Sequence, residues 1–298
     1  MSTLHELLHR QRPGQWQKFW ARPCVYLAET LYSWHKPIPA TPLTNPIAVV
    51  CISDTHNAQV DIPDGDILIH AGDLTQAGSF QEIQNILTWL DGLPHPIKIV
   101  IAGNHELLLD STRDDISGRA ASERAQLDWG GIIYLENEEV TVSCLNGRQL
   151  RVYGSPCTIR HGSWAFQYPR NQDLWTSSVP DGIDVLITHS PPLAHLDLLG
   201  FGCPYLLQTL WRVRPKLHVF GHVHEGYGTD WVLFDGLQGA YERTVAAGGG
   251  LFNLLLTTWG FFKAYLRPHV EAKCLLINPS TVGGLRDDER RRPIKALI

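Results

Sequence analysis

The sequence lacks most features that would place it in a specialised class. Its six cysteines (Cys24, Cys51, Cys144, Cys157, Cys203, Cys274) show no paired spacing, and several lie inside apolar runs. That argues against a disulfide framework and for buried thiols in a reducing compartment. Basic charge is not in excess: 25 Lys and Arg against 30 Asp and Glu leave a net charge of −5. An extended nucleic-acid surface needs a basic face, so no nucleic-acid polymer is expected as partner. The first ten residues include His5, Glu6, His9 and Arg10 and lack the apolar core of a signal peptide, so a cytoplasmic location is expected. No internal repeat is present. One long uncharged run exists, the eighteen residues from Val245 to Phe262 between Arg243 and Lys263. Its four glycines, Asn253 and Thr257-Thr258 make it more polar than a membrane span. A buried or groove-lining helix is expected there, with peripheral membrane contact as the alternative.

What is present centres on residues 47–106. Ile47 to Ile52 runs into Ser53-Asp54-Thr55-His56, Ile67 to Ala71 into Gly72-Asp73, and Ile97 to Ala102 into Gly103-Asn104-His105-Glu106. Short, unbroken Val/Ile runs read as strands buried on both faces. Polar residues just past the carboxyl ends of such strands lie where open α/β sheets bind ligands. The spacing Phe80, Ile83, Ile86, Leu87, Leu90 predicts an amphipathic helix that returns the chain to the third strand.

Before this region, residues 1–46 read as an N-terminal strap and linker. Leu4, Leu7, Leu8, Trp16, Phe19 and Trp20 fall at helical spacing, Cys24–Trp34 reads as a second short helix, and Pro37, Pro39, Pro42 and Pro46 give an extended linker. The strap is expected to pack across the main domain by its tryptophans. Residues 47–298 form that domain, with an apolar insertion at about 245–266. Polar residues 110–128 read as helical, and strands are expected at 132–135, 140–144 and 150–153, with Asn146-Gly147 turning the last pair. Further strands end at His189 and before His222-Val-His224, and closing strands are expected at 231–234 and 273–277. The Arg-rich run 286–292 reads as a solvated tail.

Together the strand ends offer Asp54, His56, Asp73, Asn104, His105, His189, His222 and His224. Imidazole and carboxylate donors without thiolates suit a catalytic Zn, Fe or Mn rather than a structural zinc. Eight donors exceed one tetrahedral ion and suit two ions sharing a carboxylate, about 3.5–4 Å apart. Such a pair attracts phosphate and makes hydroxide available near neutral pH.

In order and type, Asp54-Thr-His56, Gly72-Asp73, Gly103-Asn104-His105-Glu106, His189 and Gly221-His222-Val-His224 resemble the five motifs of the calcineurin-like metallophosphoesterases. Ser53 to Asn57, His70 to Asp73, Ser190-Pro-Pro and His224-Glu-Gly-Tyr227-Gly resemble the metallophosphoesterase-domain-containing branch near the brain 239 proteins. The stretch from Gly283 to Arg290 is similar to fungal members of that branch. The resemblance spans residues 47–280. It implies an α/β fold, a four-layer α/β/β/α sandwich of two mixed β-sheets flanked by helices. It also implies that Asp54, His56, Asp73 and His224 hold one metal, and that Asp73 bridges to a second held by Asn104, His189 and His222. A hydroxide between the ions is then the nucleophile and His105 the general acid. Some brain members carry Gly where His222 stands; this chain keeps the full set, which favours an active enzyme.

The expected function is therefore dinuclear-metal-dependent hydrolysis of a small-molecule phosphoester, with a phosphodiesterase favoured by the branch. A phosphatase for a lipophilic phosphate or diphosphate is the alternative, because 245–266 is expected to form an apolar wall of the cleft. A non-catalytic metal-binding scaffold is a third reading. Beyond Asn104 and His105, Arg160, His161 and His195 are candidate substrate contacts, with Trp164–Tyr168 lining the cleft and Asp197 at its rim. Glu106 and Glu225 are expected either to orient ligands from behind or to face solvent. His70 is expected to be satisfied by backbone, and His5, His9, His35 and His95 to be structural.

Overall fold

The computed structural model describes residues 14–34, 45–114, 118–198, 200–266, 272–283 and 288–298. Leu4, Leu7 and Leu8, the prolines from Pro37 to Pro42, His5, His9 and His35 lie outside the described residues.

Two helices, α1 (Gln15–Ala21) and α2 (Pro23–Trp34), precede the first strand. The strands β1 (Ala48–Ile52), β2 (Ile67–Ala71), β3 (Ile97–Ile101) and β4 (Ile132–Tyr134) are mutually parallel in the order β1-β2-β3-β4. Helix α3 (Phe80–Asp91) makes the crossover between β2 and β3. Its start is locally determined: Ser79 Oγ accepts the Glu82 N–H, and the Glu82 carboxylate accepts the Ser79 N–H. Ile83, Ile86, Leu87 and Leu90 then bury one face against Val50, Ile52, Leu68 and Val100. Each such side chain contributes about 1.5–3 kcal/mol, which outweighs the weak propensity of an isolated twelve-residue helix. Short helix α4 (Arg119–Ala125) follows within the expected 110–128 segment.

The second sheet begins with the hairpin β5 (Glu138–Ser143) and β6 (Gln149–Ser155), turned at Gly147 with φ +84°. Two short strands follow, β7 (Thr158–Ile159) and β8 (Gln167–Tyr168), then β9 (Val185–Thr188), helix α5 (Pro204–Val213) and β10 (Leu217–Val219). The chain continues through β11 (Gly228–Val232), α6 (Gly236–Ala246), α7 (Leu251–Leu266) and β12 (Cys274–Asn278). Strand order is β11-β12-β10-β9-β6-β5, parallel in the middle and antiparallel at both edges. After the small pair β13 (Val282–Gly283) and β14 (Glu289–Arg290), β15 (Ile294–Leu297) returns antiparallel to β1 and completes the first sheet.

Alternation along the strands explains the layers. Val49, Cys51, Ile67, Ile69, Ile99 and Ile101 face Leu150, Val152, Val185, Ile187, Leu217 and Ile277 in a core between the sheets. Their neighbours face outward, toward α3 on one side and toward α2, α5 and α6 on the other. The result is the four-layer α/β/β/α sandwich. Helices α5 and α6 had no counterpart among the sequence expectations. Both begin at a side-chain cap, Cys203 with Pro204 following and Asp235 accepting from Gln238 N, signals readable in the sequence.

Three expectations change. The N-terminal strap packs on the domain through Val25, Ala28 and Tyr32 of α2, and not by its tryptophans, since Trp16, Trp20 and Trp34 stay exposed. The run 245–266 is split at Gly248-Gly249-Gly250, whose φ values of +67°, +127° and +109° end α6 and begin α7. Helix α7 packs on α2 and α6, and Leu254 meets the cluster on the outer face of the six-stranded sheet. It is therefore an outer-layer helix and not a cleft wall. Trp259 and Phe262 remain 69% and 56% exposed. Among the described residues no helix is long and apolar enough to cross a membrane. The Arg-rich tail is also not simply solvated, because Arg291 donates to the His224 carbonyl and pairs with Glu225 at 3.2 Å.

Candidate metal centre

Because β1, β2, β3, β9 and β10 run parallel within their sheets, their carboxyl ends deliver polar loops to one edge of the sandwich. Two donor groups form there. Asp54, His56, Asp73 and His224 make one, Asp73, His189 and His222 the other, and within each group one ligand atom per residue lies within 4.8 Å of the rest. Asp73 belongs to both. The Asn104 carboxamide oxygen is 3.2 Å from His189 Nε2, beside the second group. These are the seven residues that the sequence marked as ligands.

The backbone at these positions is unusual. Asp54, His56, Asp73 and His222 have φ of +49°, +44°, +50° and +66°. Left-handed backbone costs about 1–3 kcal/mol at a non-glycine residue, although Asp, Asn and His tolerate it best. The neighbouring glycines supply space. A Cβ on Gly103 would overlap the Asp73 carboxylate, and one on Gly221 would overlap the Asp54 carboxylate.

Hydrogen bonds fix which atoms point inward. His189 Nδ1 lies 2.8 Å from the Ala71 carbonyl and His56 Nδ1 lies 3.2 Å from the Thr75 carbonyl. A carbonyl only accepts, so both Nδ1 atoms carry a proton and both Nε2 atoms face the cluster. His189 Nε2 is 3.1 Å from Asp73 Oδ2; His224 Nε2 is 3.3 Å from Asp54 Oδ1 and from His56 Nε2. Asp54 Oδ2 is held by Ser53 Oγ at 2.5 Å and Ser280 Oγ at 2.7 Å, and the His222 N–H donates to Asp54 Oδ1 at 2.9 Å. Acceptors thus converge on acceptors, an arrangement that a cation satisfies and a proton satisfies only in part. The donor chemistry fits two divalent ions.

Charge in the site is tightly linked. Burial opposes ionisation of Asp54 and Asp73, yet the surrounding imidazoles, His224 for Asp54 and His189 for Asp73, hold both carboxyls well below their usual range. Burial also opposes a charged His189, but the Asp73 carboxylate overrides it and pushes His189 up to about 9. A metal ion between the two would take that proton's place. Burial, with His189 nearby, drives His222 down to about 3, so it presents a neutral ring.

Other expected residues divide. His105 stands at the mouth: its N–H donates to Asp73 Oδ1 at 2.9 Å and its ring meets that of His56 at 4.6 Å. His161 is exposed, its ring 4.7 Å from that of His222. Arg160 is exposed next to it, paired through its backbone N–H with the Tyr168 carbonyl. His195 is not a substrate contact. It is fully buried between Asp230 at 2.8 Å and Glu242 at 3.0 Å. Burial would lower its pKa, but the two carboxylates push it up to about 10. Asp197 is likewise buried and no rim residue, tying down its loop by accepting from Ala194, Gly200 and Gly202 N–H. Glu225 pairs with Arg291. His95 is structural, bonded to the Pro63 carbonyl. His70 bonds to the Thr55 hydroxyl at 2.9 Å, where backbone satisfaction was expected.

Sequence reasoning missed Ser280 and Gln76. The signal for Ser280 was the same one used elsewhere, since Asn278-Pro279-Ser280 ends the β12 run just as Gly-Asp ends β2. Gln76 acts through its carbonyl, which accepts from His105 Nδ1, and no residue type announces that.

Carboxylates and imidazoles gathered at the strand-end edge of a four-layer sandwich define a class of α/β protein whose edge could hold metal ions. A family model described as calcineurin-like phosphoesterase matches residues 47–226, and the chain belongs to that family. It is 43% identical over 212 residues to the human metallophosphoesterase domain-containing protein 1, covering 63% of this chain and 62% of that one. It is 42% identical over 300 residues to a probable rhamnogalacturonate lyase C of Emericella nidulans, covering 98% of this chain but 28% of that protein. A UPF0046 protein of Caenorhabditis elegans is 38% identical over 229 residues, 65% of this chain and 56% of the relative. The chain thus spans less than two thirds of the length of each of these three relatives.

Proposed function

We propose that this chain is a dinuclear-metal-dependent phosphoester hydrolase, and that its preferred substrates are small phosphodiesters. The observation that carries the reading is the sharing of Asp73 by two donor groups. In this reading Asp54, His56, Asp73 and His224 hold one ion, and Asp73, Asn104, His189 and His222 hold the other. Mn, Fe and Zn all suit such donors. Two divalent ions, when bound, supply positive charge for the phosphate and acidify the attacking water.

The chain's own residues do the rest. Asp73 and Asp54 keep the two ligand sets in register, since each carboxylate is also bonded to the backbone of a neighbouring motif, His105 N–H for Asp73 and His222 N–H for Asp54. His105 serves as general acid. Its Nδ1 proton is committed to Gln76, so Nε2 is the nitrogen that delivers a proton to the leaving oxygen. Asn104, Arg160 and His161 are assigned to the substrate side, where His161 reaches the ring of His222. Helix α7 lies in the outer layer, so it lends no support to a preference for lipophilic phosphates. The lyase in the name of the Emericella relative belongs to a protein more than three times as long as the matched stretch, and its chemistry is not assigned to this chain.

The test is metal analysis joined to turnover. The purified chain is expected to bind two metal ions and to hydrolyse bis(4-nitrophenyl) phosphate faster than 4-nitrophenyl phosphate. Asp73→Asn should lose one ion and nearly all activity. Two ions with near-normal turnover in that variant would remove Asp73 as the bridge. No turnover by the fully loaded wild type on a panel of phosphoesters would favour a scaffold.

A further inference from the structure

Trp164 lies in the loop between β7 and β8, outside the ligand motifs. Its indole stacks on the imidazole of His105, with ring centroids 4.4 Å apart and 24° between planes. A second ring, His56, meets the same imidazole edge-on at 4.6 Å and 79°. In the plane of the ring, Nδ1 is 2.7 Å from the Gln76 carbonyl. His105 is therefore held by a face, an edge and one nitrogen, and among the described residues its Nε2 has no hydrogen-bond partner.

The indole is placed by bonds at Trp164 itself and at the two residues that follow it. The Trp164 carbonyl accepts from Arg113 at 3.1 Å, the Ala165 N–H donates to the Asn104 carbonyl at 3.0 Å, and the Phe166 N–H donates to Asp110 Oδ2 at 2.8 Å. Phe166 takes a φ of +53°, a conformation that persists in a bulky residue only where its surroundings enforce it. The loop is thus fastened to the segment that carries Asn104 and His105. A surface loop with no role at the site has no need of such ties, nor of a tryptophan that is 36% exposed.

We propose that Trp164 is the positioning residue for His105, acting as a stacking platform that turns Nε2 toward the leaving oxygen. The inference rests on the reading of His105 as general acid. The nitrogen bond to Gln76 constrains one edge of the imidazole, and the indole constrains the face. A misplacement of about 1 Å in a catalytic group can cost on the order of 10²-fold in rate.

The experiment compares phosphodiesters carrying a 4-nitrophenolate or a simple alkoxide leaving group, with metal-loaded enzyme. The variants are Trp164→Ala, Trp164→Phe, His105→Asn and the Trp164→Ala/His105→Asn double variant. Trp164→Ala is expected to lower kcat on the alkoxide substrate by about 10–10²-fold, with much less effect on the nitrophenyl ester and an unchanged KM. Trp164→Phe should restore most of the loss, and the double variant should be no slower than His105→Asn alone. In the metal-free protein, ring current should hold the His105 imidazole proton resonances upfield and release them in Trp164→Ala. Equal losses on both esters, a raised KM with kcat retained, additive losses in the double variant, or unmoved His105 resonances would each overturn the proposal. A raised KM in both backgrounds would identify Trp164 as a substrate contact instead. An equal loss on both esters in His105→Asn alone would remove the acid role of His105, and the positioning role with it.

Discussion

Glu106→Gln tests how the ligand loops are held. The Glu106 side chain is fully buried behind the site and joins two motif loops. Oε1 accepts from the Thr75 N–H and hydroxyl at 2.9 Å each, and Oε2 accepts from the Gly103 N–H at 2.7 Å. Burial, with Asp73 nearby, pushes its pKa up to about 7, so the carboxylate is the form to test at pH 8. Glutamine has nearly the same shape but only one acceptor oxygen. If that oxygen stays on Thr75, the amide NH2 confronts the Gly103 N–H; the reverse orientation orphans the Thr75 N–H. At least one charge-assisted bond is lost, that of Gly103 in the first orientation and those of Thr75 in the second, and a single loss costs about 1.5–3 kcal/mol. The raised pKa also means that ionised Glu106 costs folding stability at pH 8, a cost that Gln removes, so Tm should move by no more than about 5 °C and metal retention is the deciding readout. The assay is a thermal unfolding scan on metal-free protein at pH 8, with metal content measured after reloading. Because Thr75 and Gly103 adjoin Asp73 and Asn104, metal retention should fall. A Gln variant with full metal content would refute the claim that Glu106 holds these loops.

Gly221→Ala should place its Cβ against the Asp54 carboxylate and Ser53 and lower metal content with little loss of secondary structure; full metal content by elemental analysis would show that the loop yields instead. His195 should contribute to stability in a pH-dependent way. Its folded pKa is raised from 6.5 to about 10, so the stabilisation is complete below about pH 6.5 and is lost progressively as pH rises to about 10. Denaturant titrations of wild type and His195→Gln should therefore converge between pH 7 and pH 10, and a constant gap would contradict the buried His195–Asp230–Glu242 ion pairs. Trp259→Ala and Phe262→Ala should leave KM unchanged for lipophilic and small phosphoesters alike, given their place on the outer layer. A rise confined to lipophilic substrates would return α7 to the cleft.

Sequence alone determined the strands and the chemistry at their ends. An apolar run of Val and Ile stopped by Asp, Asn or His is a local pattern, and parallel strands carry every such stop to the same edge. That is why the donors at the strand ends were legible in the sequence, while the ligand set of seven and the layer order came from the resemblance to the calcineurin-like metallophosphoesterases. Local capping chemistry likewise set α3, and could have revealed α5 and α6. The roles of residues whose meaning depends on distant partners were decided only by tertiary structure. His195 reads like another motif histidine, but Asp230 and Glu242, far along the chain, enclose it and make it part of the core. Arg291 reads as a charged tail until β15 returns to β1 and brings it under His224. The apolar 251–266 run shows that something must cover it, but hydrophobicity has no direction. Whether that helix walls the cleft or lies on the outer layer was settled by α2 and α6, which pack against it there.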